Sequence, residues 1–149
     1  MSNLNDNLAQ EHYKFLLTKI QHLDEALFKN MAMYSKFITS VFAFLIASVV
    51  FEKSGKITND VLTLTFNLST IFILFLSLIF ALITIANIFS WYDYRKEEMS
   101  LLKNLSIDFG RKEPSFKNLL RWVETWFLLA LFTISIIALN LDSVLLKLM

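Results

Sequence analysis

From Val61 to Ser90 the chain runs thirty residues without a single charged side chain. A hydrocarbon layer about 30 Å thick needs roughly 20 consecutive apolar residues to be crossed by a helix, so this segment is longer than one crossing requires and must tilt or protrude. Two further runs share its character. Met31 to Phe51 is interrupted only by Lys36, and Leu119 to Leu141 carries Arg121 and Glu124 near its start. The expected fold class is therefore all-α: an integral membrane protein with three transmembrane helices and a helical cytoplasmic stalk.

Composition excludes the other broad classes. Hydrophobic residues make up 56% of the chain and charged residues 18%, outside the usual range of a soluble domain. Fifteen phenylalanines argue against disorder, and the lack of cysteine removes disulfides and thiolate chemistry. With a net charge of +1, no direct nucleic-acid partner is expected.

Orientation follows from the basic residues. Lys14, Lys19, Lys29, Lys36, Arg95, Lys96, Lys103, Arg111, Lys112, Lys117 and Arg121 share one side of a three-span chain, and Lys53, Lys56 and Lys147 the other. This bias predicts a multi-pass protein of a bacterial inner membrane, with a cytoplasmic N-terminus and a periplasmic or extracellular C-terminus. The polar stretch before the first apolar run is unlike a cleaved signal peptide. Trp91, Trp122 and Trp126, with Tyr34, Tyr92 and Tyr94, mark one membrane interface.

Gly55, Gly110 and Pro114 are the only strong breakers. They divide the chain into a cytoplasmic amphipathic helix (1–30), a first span (31–51), an outer turn (52–60), a second span (61–90), a cytoplasmic helical extension and turn (91–118), a third span (119–141) and an outer tail (142–149). Asn59 or Asp60 is placed as N-cap of the second helix, Gly110 as its C-terminal cap, and Arg111 to Glu113 as the connection to the third. The N-terminal stripe includes Leu8, Leu16, Ile20, Leu23 and Leu27, and the extension carries Leu101, Leu102 and Leu105. Neither stripe makes a core alone. The two extensions are expected to pack together and against other copies of the chain, giving a homo-oligomer with coiled-coil character.

Within the second span, Thr63, Thr70, Ser77 and Thr84 recur every seven residues beside Asn67 and Ala81. A small hydroxylated face serves close helix packing, or it lines a hydrated passage in an oligomer. Both alternatives stand at this level. Ser40, Ala43 and Ala47 form a small-residue seam on the first span. Lys36, Arg121 and Glu124 are the interfacial charges, with Arg121 and Glu124 spaced to pair on one helix. The run Asp93 to Glu98 has the mixed charge of a solvated face.

No enzyme and no cofactor is expected. His12 and His22 differ by roughly 80 degrees around a helix, and no phosphate loop, nucleophile elbow or metal motif occurs. In layout, the chain resembles the small helical membrane effectors associated with bacterial anti-phage defence systems. That resemblance implies a pore-forming or membrane-perturbing effector gated through its cytoplasmic helices. Phage holins look similar too, although their commonest three-span form has the opposite orientation. The alternative expectation is a non-conducting membrane scaffold that docks a cytosolic enzyme or sensor. The expected partners are thus the lipid bilayer, further copies of the chain and, in the alternative, a cytosolic protein.

Overall fold

The computed structural model describes residues 2–106 and 114–141, with side chains described from Asn7 onward except those of Phe116, Asn118 and Leu119. Three α-helices follow in chain order: α1 (Ser2–Lys53), α2 (Asn59–Asn104) and α3 (Val123–Leu139). A 3-10 helix over Phe116–Arg121 precedes α3. Among the described residues there is no strand. Gly110, the connection Arg111 to Glu113 and the tail 142–149 lie outside the described residues.

The length of α1 follows from the absence of any glycine or proline before Gly55. Its end is a Schellman motif: the Gly55 N–H donates to the Glu52 carbonyl at 2.8 Å and the Lys56 N–H to the Phe51 carbonyl at 2.9 Å. Gly55 takes φ +70°, with nothing within 4 Å of where a Cβ would stand. Conformation, not space, demands glycine there.

Two helix boundaries differ from expectation. Thr58, not Asn59 or Asp60, caps α2, its Oγ1 accepting from the Val61 N–H at 3.4 Å while its carbonyl takes the Leu62 N–H at 3.1 Å. Asp60 instead occupies the first turn, where a carboxylate complements the helix dipole. At the other end α2 stops at Asn104, ahead of Gly110, because Ser106 adopts the left-handed region at φ 55°. Its N–H closes the last turn on the Lys103 carbonyl at 3.1 Å.

The chain divides into two compact units, one of Met1–Lys29 with Thr84–Thr125 and one of Asn30–Ile83 with Trp126–Met149. In the first, Leu16, Ile20 and Leu27 of α1 and Ile88 and Leu102 of α2 are buried. In the second, Tyr34, Ile38 and Leu45 of α1 are buried, as are Leu62, Phe66, Ile73 and Phe80 of α2 and Phe127, Leu131 and Ala138 of α3. These positions advance mainly by three or four residues, or by their sum, as one packed helix face requires.

Much of the outside of the second unit is apolar. Phe44, Ile46, Ile71, Phe75 and Phe132 are each about three-fifths exposed. Both α1 and α2 are long and apolar enough to cross a membrane, yet only 22% and 39% of their most apolar windows are buried. A core helix of a soluble protein would hide most of that surface. The 17 residues of α3 reach about 26 Å at 1.5 Å per residue, a little less than a hydrocarbon layer.

Replacing Gly55 by Ala should destabilise the fold by about 1–2 kcal/mol, since a Cβ is penalised in the left-handed region. Thermal unfolding of the detergent-solubilised protein measures this, and an unchanged midpoint would contradict the assignment.

Candidate functional site

The hydroxyl row on α2 divides by depth. Thr63 and Asn67 are exposed, Thr70 and Ala81 half-buried, and Ser77 and Thr84 buried. Ser77 shares a 2.8 Å hydrogen bond with the Tyr34 hydroxyl, and Thr70 donates to the Ala138 carbonyl at 3.3 Å. The Tyr34 ring meets Phe80 edge-on at 5.3 Å and Phe127 at 5.9 Å. All three helices therefore converge on Tyr34. The inner part of the row belongs to packing within one chain, whereas Thr63 and Asn67 face outward.

On α1, Ser40, Ala43 and Ala47 are all exposed. Ser40 also lines an open groove of about 440 Å³ with Phe37, Phe44, Thr65, Leu68 and Phe72. Ser40 and Thr65 bond back to their own helices, at the Lys36 and Val61 carbonyls. The groove therefore presents methyl and phenyl surface more than open hydrogen-bonding groups.

The interfacial charges are arranged differently from the expected pairing. Lys36 and Arg121 are exposed and Glu124 is buried. No ion pair joins Arg121 to Glu124 among the described residues. The cause is local geometry: Arg121 ends the 3-10 helix, Trp122 forms a bend, and Glu124 lies in the first turn of α3. The three-residue spacing brings side chains together only on an uninterrupted α-helix.

Packing in the first unit takes up most of the apolar positions expected there. Leu16, Ile20 and Leu27 are buried and Leu23 and Leu101 half-buried, while Leu105 is 38% exposed. Leu102 is buried in its stead. The charged run is not wholly solvated either: Asp93, Lys96 and Glu97 are exposed, but Glu98 is 0% exposed. Its Oε2 accepts from Arg95 Nη1 at 2.7 Å. Asn87, buried, donates to the Leu23 carbonyl at 3.2 Å. On the exposed side, His12 Nε2 and Glu97 Oε1 lie 3.0 Å apart.

Beside this network is a cavity of about 300 Å³, lined by Asp24, Leu27 and Phe28 of α1, Trp91 of α2, and Trp122, Val123 and Glu124. The indoles of Trp91 and Trp122 stand 5.4 Å apart, tilted by 58°. The Arg95 guanidinium lies 5.3 Å from the Trp91 ring centre. Burial pushes the Asp24 carboxyl above its ordinary value of 3.8, while Arg95 and a hydrogen bond from Trp91 pull it down without cancelling the rise. Two carboxylates and two indoles thus surround one space. Among the described residues no three His, Cys, Asp or Glu side chains gather as metal ligands would.

No family model matches the chain, and neither does any curated protein or solved structure.

Two predictions follow from these contacts. Tyr34→Phe should cost about 1 kcal/mol in thermal unfolding, the usual net worth of one hydrogen bond, and no loss would mean that the Ser77 contact is idle. For Asp24 the raised value means that the folded state holds the proton more tightly than the unfolded chain. Its contribution is therefore fullest below pH 3.8 and is lost as pH rises through the higher folded value. The stability difference between the parent and Asp24→Asn should shift in favour of the variant across that interval. A pH-independent difference would contradict it.

Proposed function

We propose that this chain is a homo-oligomeric protein of a bacterial inner membrane, whose spanning helices form a pore or perturb the bilayer under control of the cytoplasmic helices. The observation that carries the membrane location is the apolar exterior of the second unit, where Phe44, Ile46, Ile71, Phe75 and Phe132 have no protein covering. Water would oppose such a surface and hydrocarbon accepts it. A second feature agrees. The hydroxyls of the exposed Thr39, Ser40 and Thr133 and the half-buried Thr65 donate to carbonyls four residues back on their own helices, as hydroxyls without water must.

Self-association is supported by the exposed Ser40, Ala43 and Ala47, since small residues let a neighbouring backbone approach closely. In such an assembly Thr63 and Asn67 supply polar surface for a hydrated axis, and Ser77 and Thr84 brace the protomer. The positive-inside bias orients the N-terminus to the cytoplasm, and the third apolar helix completes three crossings. A role in phage defence is the biological setting that the layout suggests.

The scaffold alternative draws on a different observation. Leu8 and Phe15 are 57% and 50% exposed on the first unit, and apolar side chains on a water-facing helix suit a docked cytosolic protein.

Purified protein in detergent should have a mass that is a multiple of the 17.4 kDa chain, and reconstituted vesicles should release an entrapped dye. Ala43→Leu with Ala47→Leu should reduce both. A monomer that leaves vesicles tight would refute the proposal, while an ion-tight oligomer capturing a stoichiometric cytosolic protein, lost on Phe15→Asp, would establish the scaffold.

A further inference from the structure

The cavity in the first unit brings carboxylates and indoles together, and that chemistry is selective. Glu124 is the deciding group. It is 9% exposed and lines the cavity, and its side chain makes no hydrogen bond or ion pair among the described residues. No enclosed polar side-chain atom among the described residues lacks a partner, so the Glu124 oxygens open onto the cavity and not into packed side chains. A carboxylate stripped of most of its water is stabilised by a cation that reaches it. Arg95 does not serve, being committed to Glu98 at 2.7 Å.

The other walls favour the same kind of guest. Trp91 and Trp122 line it with indoles, whose quadrupoles attract cations, as the Arg95 guanidinium 5.3 Å from the Trp91 ring centre illustrates, and Asp24 adds a second carboxylate. Leu27, Phe28 and Val123 make the remainder apolar, suited to an alkyl stem. A volume of about 300 Å³ admits a small polar group with a few carbons, whereas an anion would meet two carboxylates.

We propose that this cavity binds an organic ammonium group, with Glu124 as its principal counter-ion and the indoles of Trp91 and Trp122 as its walls. An ethanolamine headgroup and a free alkylamine share that chemistry. The headgroup source rests on the membrane location proposed above, whereas the free-amine source does not.

Purified full-length protein carrying Trp126→Phe keeps Trp91 and Trp122 as its only indoles, so their emission reports the cavity. In detergent it is titrated with short-chain phosphatidylethanolamine, short-chain phosphatidylglycerol and ethylamine. The proposal expects a saturable change with an amine-bearing probe and none with phosphatidylglycerol. Saturation by phosphatidylethanolamine without ethylamine assigns a lipid headgroup, and saturation by ethylamine assigns a free amine. Glu124→Gln should weaken binding about tenfold with unchanged circular dichroism, and Asp24→Asn, the comparison if the first variant does not fold, by a few-fold. Equal response to phosphatidylglycerol, or full affinity in the folded variants, overturns the proposal. An ion-tight monomer that still binds ethylamine would remove the pore and leave the cavity's role intact.

Discussion

Apolar side chains with nowhere to hide are the constraint on which this architecture depends. Each long helix gives one face to its neighbours and leaves the others uncovered, so the packed seam has to take in the inner polar groups. Tyr34 shows how. Its hydroxyl pairs with Ser77 while its ring meets Phe80 and Phe127, so one side chain meets both other helices. In the bilayer proposed for this chain there would be no hydrophobic drive between helices, and such shape and hydrogen-bond matches would supply the association instead.

Much of this was legible in the sequence. The charge-free run from Val61 to Ser90 foretold a long apolar helix, and the lone Gly55 between two breaker-free stretches foretold the hairpin. The stripe of Leu16, Ile20 and Leu27 was readable from its spacing. Boundaries were less so, because Thr58 and Ser106 act through backbone conformation, and Ser106 takes a left-handed angle that composition does not announce.

The charged residues of the first unit were the least legible, for a physical reason. Asp93 to Glu98 has the composition of a solvated face, but Glu98 falls in register with Thr84, Trp91, Arg95 and Leu102 on the inner side of α2. Periodicity carried that signal and composition obscured it. Asn87, a lone amide near the end of an apolar run, was a similar clue: its buried side chain has to find a partner, and finds the Leu23 carbonyl. The separation of Arg121 from Glu124 could not have been read, since spacing rules presume an unbroken helix and a bend at Trp122 lies between them.

The tight turn between α1 and α2 limits how this hairpin can vary. The Schellman closure on Gly55 and the Thr58 cap stand three residues apart, so almost no free chain separates the end of α1 from the start of α2. Lengthening or shortening this link by a residue would have to undo one closure or the other.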